Sequence, residues 1–135
     1  MSTNATILKE DATNGTFYGV YVHWDGDSVL EDLTGLAESN FNGSYKKLLD
    51  KIFEHAGWSS ICKDPSKVSA MAGDHIQHEP LIGNYYTDMD DVADMQKFAS
   101  LEDLESLGEE YNYIFDAGFT KVTVLSSDGK EVVKL

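Results

Sequence analysis

The stretch Asn14-Gly-Thr-Phe-Tyr-Gly-Val-Tyr-Val-His-Trp-Asp-Gly26 joins a turn signal to the most apolar strand-like run near the N-terminus. Asn-Gly readily takes the positive φ angles of a tight hairpin turn, so a strand is expected on each side of it, over Thr6 to Lys9 and over Thr16 to Trp24. In the second strand Tyr18, Val20, Val22 and Trp24 alternate with Phe17, Gly19 and Tyr21. Neither face is polar, which places this strand inside a sheet and turns Trp24 into the core.

Three further strand-like runs close the chain, Tyr111 to Phe115, Lys121 to Leu125 and Glu131 to Lys134, with turns at Asp116-Ala-Gly118 and Ser127-Asp-Gly129. The middle reads as helices. Ser28-Val-Leu-Glu31 has the spacing of a capping box and is followed by Leu30, Leu33, Leu36 and Ala37 at helical intervals. Ser44 caps a second helix, with an apolar stripe of Tyr45, Leu48, Leu49, Ile52, Phe53 and Ala56 and a stop at Gly57. Asp64-Pro65 opens a short helix as far as Ala72, Thr87 with Asp90 opens another over Val92 to Phe98, and Ser100 to Gly108 forms a third. Pro80 and Gly83 leave Leu81 to Tyr86 as loop or a short edge strand. The expected fold is α+β, one domain over residues 1–135. It has a mainly antiparallel sheet of about five strands, the N-terminal hairpin plus the C-terminal strands, and helices packed on one face.

Charge narrows the functions. Twenty-four acidic and ten basic residues give −14, and every basic residue is lysine. Without arginine, the preferred fork for phosphate, direct nucleic-acid binding is not expected. One cysteine, Cys62, excludes an internal disulfide, and the absence of a membrane-length apolar run or a secretory leader predicts a cytoplasmic protein.

Four constellations carry candidate chemistry. His23 and Asp25 fall on one side of a strand end and resemble a tuned general base, but no nucleophile or oxyanion device is evident nearby. Asp74-His-Ile-Gln-His78-Glu79 would set His75 and His78 on one helical turn. With Glu79 or His23 these could hold zinc, although the order of the zinc proteases is missing. A calcium loop from Asp88 fails, because its sixth and twelfth places hold Ala93 and Ala99. No Walker or GxGxxG pattern is present. No metal and no cofactor are therefore expected.

The acidic residues themselves remain. Asp27, Glu31, Asp32 and Glu38 surround the first helix, and Asp88, Asp90, Asp91 and Asp94 surround a later one. Glu102, Asp103, Glu105, Glu109 and Glu110 follow at the last. Such faces resemble a run of phosphates and attract a basic cleft on a partner.

The order of features, Gly19-Val-Tyr-Val-His-Trp-Asp-Gly26, Tyr85-Tyr-Thr-Asp88 with Met-Asp-Asp-Val92, the Ser100 to Gly108 helix and Glu110-Tyr-Asn-Tyr-Ile-Phe-Asp116, resembles a group of small bacteriophage and prophage proteins with a Tyr-x-His-Trp-Asp-Gly signature. Here Asp27-Ser-Val-Leu follows the signature in place of the group's tyrosine-proline step, and the region from Ser39 to Lys63 is expanded. The group has no settled activity, so the resemblance implies a setting: small acidic phage proteins often block a host enzyme or defence system by binding. The expected function is inhibition of a host protein, such as a nucleic-acid-binding one with a basic cleft, by a non-enzymatic protein acting in the host cytoplasm. Two alternatives are a small-ligand or nucleotide-sequestering protein, with a pocket of Tyr21, His23, Trp24, Asp25 and Tyr85, and a metal-dependent hydrolase using His23, Asp25, His75 and His78.

Overall fold

The computed structural model describes residues 3–11, 16–24, 26–55, 57–63, 75–87, 96–98, 110–126 and 129–135. The two N-terminal strands pair as expected: β1 (Ala5–Asp11) runs antiparallel to β2 (Thr16–Val22), from Ala5 opposite Val22 to Asp11 opposite Thr16, while the expected Asn14-Gly15 turn lies outside the described residues. A 3-10 turn, Gly26–Ser28, leads into α1 (Val29–Asn40), and Ser44 precedes α2 (Tyr45–Ile52). Seven more strands follow: β3 (Gly57–Ile61), β4 (Ile76–Glu79), β5 (Gly83–Tyr86), β6 (Gln96–Phe98), β7 (Tyr111–Phe115), β8 (Lys121–Ser126) and β9 (Gly129–Lys134).

The class is α+β, but the sheet is larger than expected. Eight strands run in the order β4-β5-β3-β2-β1-β7-β8-β9, and β6 pairs with β2 beside β3. β2 is interior, as its two apolar faces require. Two contacts are parallel, β1 with β7 and β2 with β3, so α1 and α2 are the crossover that returns the chain from β2 to β3. The extra strands escape a pattern reading for physical reasons. In β3, serines at 59 and 60 interrupt the apolar run although Ser59 is buried, and β4 is Ile-Gln-His-Glu. Gly57 opens β3 and does not stop α2, which ends at Ile52. The strand expected at the edge, β5, has β4 outside it, so that end of the sheet is β4. Residues 96–98, expected as helix, are a strand on β2, while the rest of that helix and those over 64–72 and 100–108 lie outside the described residues.

The helices cover one face. Ala5, Ile7, Val20, Val22, Trp58, Tyr113, Phe115 and Val122 pack there under Leu33, Leu36, Leu48, Leu49 and Ile52. Leu8, Ile114 and Leu125 form a smaller cluster on the opposite face, where the Thr6 hydroxyl donates to Asn112 Oδ1 at 2.6 Å. Gly19 lies under Leu8: a Cβ at this position would stand 2.8 Å from Leu8 Cγ. Ser44 caps α2 as predicted, accepting from Lys47 N at 3.2 Å. Ser28 forms no capping box, because its hydroxyl faces Asp32 Oδ2 at 3.4 Å after the 3-10 turn.

Trp24 does not enter the core. β2 ends at Val22, so the strand alternation no longer governs its direction, and the indole is 46% exposed. The buried tryptophan is Trp58, 0% exposed, whose indole N–H donates to the Ile52 carbonyl at the end of α2, 3.0 Å away. At the β7–β8 hairpin the Asp116 carboxylate accepts from Thr120 N (2.7 Å), Thr120 Oγ1 (2.6 Å) and Lys121 N (3.0 Å).

Candidate functional site

The rim where β2 ends is built by its backbone. His23 N–H donates to the Trp58 carbonyl (2.9 Å), closing the Val22–Trp58 pairing, and Trp24 N–H donates to the Ser59 carbonyl (3.0 Å), which ties the rim to β3. Gly26 then passes against the N-terminal segment. Its N–H donates to the Thr3 carbonyl at 2.8 Å, and an added Cβ would stand 2.8 Å from Asn4 backbone atoms. Its carbonyl accepts from the Tyr113 hydroxyl, and burial pushes that phenol well above its ordinary pKa. The signature glycine therefore ties the 3-10 turn before α1 to β7 and to the N-terminal segment.

On this rim Tyr21 and His23 point to the same face, and Tyr21 Oη lies 2.7 Å from His23 Nδ1. With the phenol donating, Nδ1 is the acceptor and Nε2 carries the proton. Trp24 meets His23 edge-on, with ring centroids 4.8 Å apart at 86°. An exposed indole beside an imidazole offers a flat apolar surface with one N–H donor next to it, suited to stacking on a planar group. Asp25 lies outside the described residues, so the pairing expected of it with His23 does too.

Tyr85 belongs to a different place. It pairs with Trp58, hence sits on the helical face, whereas Tyr21 and His23 by alternation face the other way. The expected pocket of Tyr21, His23, Trp24 and Tyr85 is thus divided by the sheet. Tyr85 stacks on His55, centroids 3.6 Å apart at 11°, and donates to Gln77 Oε1 at 2.8 Å. His55 also meets Trp58 edge-on at 5.7 Å. Burial holds the His55 pKa below the usual 6.5, opposed by Glu54 and Glu79 and reinforced by Lys51, which lies 3.7 Å from Glu79. His55 has no motif around it. Its only signal in sequence is its place just past an amphipathic helix and three residues before a tryptophan.

His75 and His78 do not share a helical turn. His78 lies within β4, where three residues' separation directs side chains to opposite faces, and its Nδ1 is 2.9 Å from Oδ1 of the buried Asn84. No cluster of three histidine, cysteine or acidic side chains suited to a metal ion occurs among the described residues.

Of the acidic residues expected to meet a partner, Glu110 is described and is exposed just before β7. Asp88, Asp90, Asp91, Asp94, Glu102, Asp103, Glu105 and Glu109 lie outside the described residues. On α1, Glu31 pairs with Lys63 Nζ at 2.8 Å, and Asp32 Oδ1 accepts from Lys63 N at 3.2 Å. Burial raises the Asp32 pKa above its usual value despite that bond. Part of the α1 charge is thus taken up within the chain. No helix among the described residues is long and apolar enough to cross a membrane. Comparison of the chain with protein families, curated proteins and solved structures finds no match.

Proposed function

We propose that this chain is a non-enzymatic protein of phage type that inhibits a host enzyme or defence system, using acidic surface against a basic, nucleic-acid-handling cleft in the host cytoplasm. The observation that carries this reading is the concentration of charge. Nine of the 24 acidic residues, but one of the ten lysines, lie between Asp88 and Glu110. Within that stretch β6 pairs with β2, and β7 begins directly after Glu110. A dense, arginine-free run of carboxylates favours encounter with a basic cleft through long-range attraction.

The test is capture from a nuclease-treated bacterial lysate, comparing the native chain with one in which Asp88, Asp90, Asp91 and Asp94 are all asparagine. The native chain should retain a defined host protein at low salt and lose it at high salt, and the variant should fold but fail to retain it. Equal capture by both chains refutes the reading. The exposed Trp24 beside His23 favours a second one, sequestration of a small planar ligand such as a nucleotide base. A melting shift with nucleosides that vanishes in Trp24→Ala would support it.

A further inference from the structure

Among the described residues, the outer edge of β9 has no partner strand, and it carries a definite chemistry. β9 pairs only with β8 among the described residues, in a register running from Ser126 opposite Gly129 to Lys121 opposite Lys134. One step beyond, Leu135 N–H donates to the Thr120 carbonyl at 2.9 Å. Hydrogen-bonded pairs alternate along an antiparallel ladder, so the backbone groups of Gly129, Glu131, Val133 and Leu135 turn inward. Those of Lys130, Val132 and Lys134 turn outward. Val133 packs toward the main core with Val124, so the side chains of Lys130, Val132 and Lys134 stand together on the opposite face.

All three are exposed, Val132 by 53%. Lys121, opposite Lys134 on the same face, adds a third ammonium. The ion pairs among the described residues involve Lys46, Lys51 and Lys63, and none of these three edge lysines. A chain of net charge −14 thus ends its sheet on a lysine-valine-lysine stripe.

We infer that the β9 edge is a docking strand for an extended acidic segment of a partner protein, added antiparallel by backbone pairing. This goes beyond the proposed function, because it uses different residues and the opposite charge. The six outward N–H and C=O groups of Lys130, Val132 and Lys134 supply the pairing. The side chains specify the partner: an acidic residue, an apolar one and an acidic one at alternate positions, facing Lys134, Val132 and Lys130. A second copy is a poorer occupant. The register that pairs all three outward residues of two β9 strands sets Lys130 against Lys134 twice, and edge lysines act against such self-pairing.

The probe is a labelled, end-blocked heptapeptide in which threonines flank and separate glutamate, valine and glutamate, followed by fluorescence anisotropy with the full chain. Binding should weaken when salt rises from about 50 to about 500 mM. It should fall by about tenfold or more when the peptide's glutamates become lysines. Val132→Pro removes an outward N–H and no inner ladder bond, so it should abolish binding while circular dichroism and melting stay native. Lys130→Glu with Lys134→Glu should reverse the preference toward the lysine peptide. The inference is overturned if the native chain does not bind the glutamate peptide, if Val132→Pro binds it unchanged, or if both peptides bind equally. It is also overturned if sedimentation shows a dimer of the native chain that Val132→Pro dissolves, since the edge then belongs to a second copy.

Discussion

Truncating Trp58 should cost several times more stability than truncating Trp24, although the sequence gives Trp24 the better strand context. Trp58 is 0% exposed, packs against His55 and Tyr85, and donates to the Ile52 carbonyl. A buried aromatic of this size removes roughly 200 Å² from water, worth about 5 kcal/mol at about 25 cal/mol per Å². Measured truncations of buried Phe and Trp cost about 3–5 kcal/mol, and the lost indole hydrogen bond adds about 1 kcal/mol at the end of α2. Trp24, 46% exposed, keeps its main contact with His23, so Trp24→Ala should cost about 1 kcal/mol or less. Against a total of about 5–15 kcal/mol for a domain of this kind, Trp58→Ala removes a large share and Trp24→Ala little. Urea titrations followed by far-ultraviolet circular dichroism measure both. In Trp24→Phe the remaining tryptophan emission should be that of a buried indole. Equal costs, or a larger cost at Trp24, would refute the placement of both rings.

Gly26→Ala should destabilise by about 1–3 kcal/mol, because the new methyl meets backbone at Asn4 and Thr3. Tyr113→Phe should cost about 1–2 kcal/mol through the unpaired Gly26 carbonyl, and the two changes in one chain should cost less than their sum in chemical denaturation. His55 has a folded pKa below 6.5, so its contribution is present above that value and is lost as pH falls through 6.5 toward the folded pKa. His55→Phe keeps the stack on Tyr85 and should flatten the fall in stability between neutral and mildly acid pH, read from urea midpoints. Desolvation pushes the Asp116 pKa up, but its hydrogen bonds from Thr120 and Lys121 outweigh this and hold it below 3.8. The stabilisation is therefore present above 3.8 and is lost as pH falls through the folded pKa. Asp116→Asn should cost about 1 kcal/mol at neutral pH and lose its disadvantage in acid, by thermal melts across that range.

The elements legible in sequence are those whose pattern and burial agree. β2, β7 and β8 alternate or run apolar, and α2 has both a serine cap that accepts its hydrogen bond and an unbroken stripe. Legibility fails where tertiary contacts override local chemistry. Ser59 and Asn84 are polar yet buried, so β3 and β5 carry little hydrophobic signal, and β4 is recruited by pairing with β5 alone. The site was partly legible for the same reason. Tyr21 on β2 and His23, one residue past its end, meet side by side as their two-residue spacing suggests. Tyr85 did not join them, because which side of the sheet it faces depends on its register with Trp58, a long-range pairing that no local pattern encodes.

The strand order sets the spacing between β6 and β9. The described anchor of the acidic stretch, β6, lies against β2, and β9 stands four strands further along the sheet on the other side of β2. At about 4.8 Å per strand this is roughly 24 Å from β6 to β9, whereas charges in physiological salt are screened over about 8 Å. Glu110, at the start of β7 and two strands from β9, stands nearer, at roughly 10 Å. The lysine stripe is therefore screened from a charge placed at β6, while Glu110 lies close to the screening distance. If the acidic stretch and the β9 edge act independently, an acidic segment docking on β9 should bind as well to the fourfold Asp88, Asp90, Asp91 and Asp94 to asparagine variant as to the native chain. If those neutralisations instead strengthened peptide binding markedly in physiological salt, the acidic stretch and the β9 edge would form one electrostatic surface.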